Sequence, residues 1–452
     1  MLSNWKITFF LFFVGVQVTS QKDLELYIPY ANTSEDTHPT IELRTIIHII
    51  KYSEAEAKNL TEDSIRYITQ QYDWINSYYR DLRQPTLPTK DGEVHYIPSA
   101  RVKFKIDKIL FHVDPDGWDR IKTDEMESKP MGFLSYNANS NSLHLEGNWT
   151  SYMNKAEDSL KLYFEDGSEE IVRYDKMESK DKTTIFQLKK EYSISKNPLK
   201  VTCFRESNKN CSLDLWHKYG ENDPNAVHIF YTGSSKSGIA FGCGPTPYYL
   251  NVSNIIKGGD WAGAQLTAHE LGHTLGLSHT DRPQFDDLPV FDKFGFIDCN
   301  TSATSNNIMG YNICRNYLSP KQVGYMHLLY TTKPDRIVLT TANEYISNHP
   351  IEIWNDEVWE KAMVVKRDIV VRRGQTLEIK NQVHMAAGAT IYVEAKAKLI
   401  VNGTLITNFF ESEWQGVKFC VSYERKQKLP CKEANLGKVV FLNDGTLDKV
   451  LD

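Results

Sequence analysis

Basic runs are missing from this 452-residue chain. It has no basic arm, no cluster of lysine and arginine, no recognised nucleic-acid-binding motif, and a net charge of only −6. Nucleic acid is set aside as a partner class on those grounds. Cysteine is sparse. None of the seven stands in C-x-x-C spacing, which argues against a zinc knuckle. Beyond the N-terminus no segment is apolar for the roughly 20 residues that span a bilayer. Apolar residues make up 41% of the chain, enough for a sizeable core, which argues against long disorder. The length exceeds what one core ordinarily supports and predicts two or three domains.

What is present begins at the N-terminus. Lys6 precedes an apolar run, Ile7 to Val18, and Val18-Thr19-Ser20 offers small residues before a cut. That is the layout of a signal peptide over residues 1–20, cleaved near Ser20 or Gln21. The run is too short for a membrane anchor, and no cysteine follows it to carry a lipoprotein anchor. The expectation is a secreted protein, periplasmic or at the cell surface if bacterial. In an oxidising compartment close cysteines pair. Cys203–Cys211, Cys299–Cys314 and Cys420–Cys431 are the natural local pairings, leaving Cys243 over.

Residues 21–40 are polar and turn-rich and read as a short solvated leader or pro-segment. Ile41 to Ile50 reads as a buried strand. Thr61 resembles an N-cap, and Ile65, Ile68, Tyr72, Ile75 and Tyr79 recur at helical spacing. Val102, Phe104 and Ile106 alternate as in a strand. The stretch 118–220 holds short strands near 160–164, 170–174 and 184–188, either an insertion or additions to the main sheet. Ala226 to Tyr231 is a strong strand signal. Gly238 to Phe241 and Tyr248 to Val252 are weaker ones, separated by Gly244-Pro245 and Pro247. A helix follows from about Trp261 to Leu275, with Asp260 as cap, and another from Pro320 to Tyr330. After residue 333 the texture changes to β-rich runs. Gly374, Gly388 and Gly403 recur at 14 and 15 residues, which fits a β-solenoid or a sandwich.

The chemistry lies in His269-Glu270-Leu271-Gly272-His273-Thr274-Leu275-Gly276-Leu277-Ser278-His279. On a helix His269 and His273 project from one face. Glu270 lies beside them, placed as a general base. Gly276 can adopt the positive φ that turns the chain, bringing His279 to the same point. Three neutral imidazoles suit zinc and leave a coordination position for water, whose pKa falls towards about 7. HExxH alone arises by chance in about one chain of this length in twenty, and the longer pattern in on the order of one in ten thousand. As core residues, two imidazoles flanking a carboxylate would each need a buried partner.

HExxHxxGxxH is the metzincin signature, and the chain resembles that clan of zinc peptidases. The resemblance implies an α+β fold over residues 41–332: a twisted mixed sheet with helices, an active-site helix and a Met-turn. A β-rich module, residues 333–452, follows. Asn307-Ile308-Met309-Gly310-Tyr311 matches the Met-turn, with Met309 supporting the histidines. Tyr311 is either a hydrogen-bond donor to the oxyanion or a wall of the cleft. The gap from His279 to Met309 and the flanking cysteines are most similar to the pappalysin and cytophagalysin family, although Gly310 stands where that family usually has Asp. The family binds calcium, for which Asp281, Asp286, Asp287, Asp292 and Asp298 are candidates, the alternative being a solvated acidic loop. No cysteine precedes Cys203, excluding an N-terminal cysteine switch, and Glu35 and Asp36 remain as carboxylates that could quiet the metal. The resemblance implies a secreted endopeptidase acting on protein or peptide. Its competitors are a binding protein with a vestigial zinc domain and a non-peptidase zinc hydrolase. The C-terminal module would then bind a surface, a glycan or another protein.

Overall fold

The computed structural model describes residues 24–451 apart from 56–59, 90–91, 123–130, 151–157, 206, 210, 234–240, 255–258, 281–283, 290–304, 311–313, 424–430 and 434–436. The signal segment therefore lies outside the described residues. The protein is mixed α+β, with sheets predominating and a β-rich C-terminal region.

Five strands form the main sheet: β1 (Ile41–Lys51), β2 (Val102–Val113), β3 (Val227–Thr232), β4 (Phe241–Thr246) and β5 (Tyr249–Ser253). Their order is β4-β5-β3-β1-β2. All pairings are parallel except that of β4, which runs antiparallel along one edge. The central β1 is buried along nearly its whole length, as a parallel strand covered on both faces must be. On one face, Ile47, Ile49, Ile229, Tyr231, Leu250 and Val252 pack against helices α1 (Ile65–Arg80) and α2 (Gly259–Thr274). The stripe predicted on α1 is buried at Ile68, Tyr72, Ile75 and Tyr79, but Ile65 is exposed. Thr61 caps a short 3-10 turn, Glu62–Ser64, that leads into the helix. Strand β4 begins near the weak signal at Gly238–Phe241 and continues through Gly244-Pro245, which had been expected to end it. An edge strand tolerates a proline because one row of its backbone groups faces no partner.

The opposite face carries Ile50, Phe230 and Tyr249 against Trp118 and Leu215. It also carries a row of imidazoles across three strands. His48 Nδ1 lies 2.9 Å from His112 Nε2, and His48 Nε2 lies 2.9 Å from His228 Nδ1. His228 Nε2 donates to the carbonyl of Asp223 at 2.8 Å, which sets the donor direction along the whole row. Tyr219 stacks on His112 with ring centroids 4.0 Å apart.

Between β2 and β3 the chain builds a separate unit, not extra strands on the main sheet. Antiparallel sheets of three and four strands enclose their own core of Met131, Leu143, Leu145, Leu160, Leu162, Phe186 and Val201. Cys203 is buried in that core. The pairing is Cys211–Cys243, so the expected Cys203–Cys211 bridge is wrong. Cys203 lies opposite Leu160 in its ladder and serves as a small apolar residue. Cys314 and Cys420 are disulfide-bonded.

After helix α3 (Pro320–Thr332) the C-terminal region is a parallel β-solenoid with three faces. Ile369 pairs with Ile391 and Leu377 with Leu399, a coil of 22 residues. The glycine spacing of 14 and 15 read from the sequence is thus not the coil. Gly374, Gly388 and Gly403 each hold positive φ at a corner, and successive ones stand two faces apart. Arg372 joins coils, pairing with Glu352 at 2.6 Å and Glu394 at 2.7 Å.

The leader is largely exposed over residues 30–40 but not at its start. Leu24, Tyr27 and Ile28 are buried, and Tyr27 Oη accepts from the Ala362 amide of the solenoid at 3.0 Å. Three apolar side chains within five residues gain more by burial than a polar segment loses.

Candidate metal centre

Helix α2 is buried nearly all round, and its small residues Ala264, Ala268 and Gly272 allow close neighbours. Tyr79 Oη donates to the Ala268 carbonyl at 2.8 Å. The helix ends in a Schellman motif: Leu277 N–H donates to Gly272 O at 3.0 Å and Gly276 N–H to His273 O at 2.9 Å. Gly276 has φ +92°, the left-handed value its place in the motif requires. The reversal returns the chain so that His279 faces the helix.

Three imidazoles meet there. His279 Nε2 lies 3.0 Å from His269 Nε2 and 2.9 Å from His273 Nε2. His269 Nδ1 donates to the Ile308 carbonyl and His273 Nδ1 to the Leu277 carbonyl, both at 2.8 Å. A ring whose Nδ1 carries the hydrogen presents a lone pair at Nε2. Two such lone pairs facing a third ring nitrogen need a hydrogen or a cation between them. Tetrahedral zinc at its usual bond length would hold nitrogens about 3.3 Å apart. The donor set and spacing therefore fit a small divalent ion, and among the described residues this is the group of His, Cys, Asp and Glu that could hold a metal. Burial holds His269 well below its ordinary value and takes His273 down to about 4, so both rings are neutral and ready to ligate at neutral pH.

Glu270 is buried beside the triad. Burial pushes its carboxyl up to about 8, against the Arg315 charge and the Gly244 N–H, which both pull it down. Strand β4 passes directly over it. A β-carbon on residue 242 would lie 2.5 Å from Glu270 Cγ, and one on residue 244 would lie 2.6 Å from Glu270 O. Both positions are glycine for that reason.

Met309 is fully buried beneath the helix. Its amide donates to Asn307 Oδ1 at 2.9 Å, and Gly310 N–H donates to Asn307 O at 2.9 Å, closing the tight turn expected there. Asn307 Nδ2 donates to Gln322 Oε1 at 2.8 Å. Gln322 forms a capping box with Ser319 at the start of α3. The cap of α3 thereby fixes the loop whose Ile308 carbonyl orients His269. Sequence reasoning missed this support, although Ser319-Pro320-Lys321-Gln322 carries the capping-box signature.

Tyr311 lies outside the described residues, as do Asp281, Asp292 and Asp298. Asp287 accepts from Ser319 Oγ and the Lys321 amide, both at 2.8 Å, and Asp286 pairs with Lys321 Nζ at 2.6 Å. These two carboxylates serve the α3 terminus. Glu35 accepts from the Thr40 amide at 3.1 Å and Asp36 pairs with Arg367, so neither stands at the triad. No protein-family model and no curated protein matches this chain.

Proposed function

We propose that the protein is a secreted, zinc-dependent endopeptidase of the metzincin type. The observation that carries this reading is the convergence of three imidazole nitrogens beside a buried carboxylate. His269, His273 and His279 would hold the zinc, which when bound polarises the peptide carbonyl and acidifies water. Glu270 takes a proton from the attacking water and returns it to the departing amine. A carboxyl raised by burial can both accept and return that proton. Among the described residues strand β4 is the edge of the sheet, so an extended peptide can add to it as a further strand and lie across Glu270. Tyr311 is read as the donor to the oxyanion. The solenoid is read as a module that holds the enzyme to a surface, a glycan or another protein.

The test is a peptide-library digest of the purified protein beside Glu270→Ala and Glu270→Gln. Both variants should keep stoichiometric zinc while turnover falls by on the order of 10²–10⁴, and a chelator should abolish cleavage by the native protein. An active Glu270→Ala protein overturns the assignment. A chain that binds zinc but cuts nothing is a binding protein with a silent centre.

A further inference from the structure

Cys243 lies in β4 between the two glycines whose backbones rest against Glu270. Its disulfide partner Cys211 is exposed and precedes the helix Asp214–Tyr219. That helix is firmly held. Arg120, fully buried, pairs with both oxygens of Asp214 at 2.7 and 3.0 Å. Among the described residues strand β4 has one strand neighbour, β5, its register is irregular between Cys243 and Thr246, and its glycines rest on Glu270, to which Gly244 N–H donates. The disulfide is a further, covalent anchor, tying the strand above Glu270 to a rigid part of the protein.

We propose that the Cys211–Cys243 disulfide is a redox-controlled clamp on the cleft. A small dithiol that opens it loosens β4 and weakens peptide capture without emptying the histidine triad. This rests on the peptidase reading above. In the reaction one thiolate of the dithiol attacks the exposed Cys211 sulfur. The Cys211–Cys243 bond breaks, and Cys243 leaves as a thiolate and takes up a proton. The second thiol then displaces Cys211 and closes the dithiol into a cyclic disulfide, so two electrons pass from the dithiol to the protein.

The functional effect follows from ordering. A strand already fixed accepts an extended peptide at little further entropic cost, whereas a loosened one must be ordered on binding. Lost preorganisation of a surface used for binding raises KM more than it lowers kcat. The three histidines stand on α2 and the turn after it, and His269 and His273 are oriented by Ile308 and Leu277, not by β4. Metal retention is thereby separable from strand order.

The full-length protein is compared in three forms: oxidised, reduced with dithiothreitol and desalted, and as C211S/C243S. KM for an unstructured peptide should rise about tenfold in the second and third forms. Bound zinc should be unchanged in C211S/C243S, amide exchange over residues 241–253 should accelerate, and reduction of C211S/C243S, which opens the disulfides of Cys314 and Cys420, should not accelerate that exchange further. Unchanged exchange over 241–253, or loss of zinc on opening the bond, overturns the clamp. Should C211S/C243S fail to fold, the wild type reduced after folding carries the same readouts. An oxidised protein that cuts no peptide defeats the peptidase reading alone, and exchange with zinc content still decides the clamp.

Discussion

Met309 fills the space that a side chain on residue 272 would need: a β-carbon on Gly272 would lie 2.2 Å from Met309 Sδ. The sulfur cannot retreat, because Met309 is fully buried and its turn is fixed by Asn307. Gly272→Ala sets two effects against each other. Helix propensity favours alanine by about 1 kcal/mol, while overpacking costs about 1–3 kcal/mol. At so short an approach overpacking wins, and a net loss of about 1–2 kcal/mol is expected. Displacing the turn also moves Ile308, so zinc affinity should fall. Urea unfolding and zinc competition measure the two losses, and a variant as stable as the parent would show that the contact is slack.

Gly276→Ala tests the reversal that delivers His279. Forcing an alanine into the left-handed region costs about 1–2 kcal/mol, and its β-carbon would lie 2.5 Å from Leu329 Cδ1. Zinc affinity should drop about tenfold or more as His279 shifts, read by chelator competition. Adding Leu329→Ala removes the collision but not the backbone strain. Complete rescue by that second change would place the whole effect in sterics.

The imidazole row makes stability depend on acid. Burial lowers His48 from 6.5 to about 2 and also lowers His228. Between those values the unfolded chain binds protons that the folded chain refuses. Stability is therefore complete above pH 6.5 and declines as pH falls towards about 2, by about 1.4 kcal/mol per pH unit for one such site. His48→Phe keeps the stack on Phe230, whose ring lies 4.4 Å away, but strands the facing nitrogens of His112 and His228. It should cost about 1–3 kcal/mol at neutral pH and flatten the acid decline by about one proton. Urea midpoints from about pH 7 to about pH 4 report both, and an unaltered slope would refute the role given to His48.

Arg372 holds the buried Glu394 and the mostly buried Glu352 from the coils on either side. Arg372→Ala leaves both carboxylates facing each other across the sheet, and solenoid stability should fall by about 3 kcal/mol. Thermal unfolding of the full chain should show the C-terminal transition move down and leave the zinc-dependent one in place. Equal movement of both would mean that the two regions unfold together.

The triad, its turn and the helix that carries it were legible because their chemistry is local. Eleven consecutive residues supply three ligands, a carboxylate and the glycine that bends the chain. Strands β1 and β3 were legible because buried parallel strands read as continuous apolar runs, and the edge strand β2 because its apolar residues alternate. The Cys211–Cys243 pairing was not legible, since it depends on two segments that adjoin only after folding. The solenoid's coil was misread for a related reason. Corner glycines mark turns, and the same turn recurs on different faces, so spacing along the chain does not equal spacing along the axis. The burial of Leu24, Tyr27 and Ile28 was hidden by the polar residues around them.

The insertion between β2 and β3 has a consequence for assembly. The middle strand of the sheet finds one neighbour at Val102 and the other only at Val227. Contacts so distant along the chain form slowly, because a long loop must close before they yield stabilisation. The inserted unit has its own core and can collapse first, while the metal-binding segment, later still in the chain, has no completed sheet to rest on. The order of synthesis thus completes the histidine triad only after the inserted unit and all five strands of the main sheet have been made.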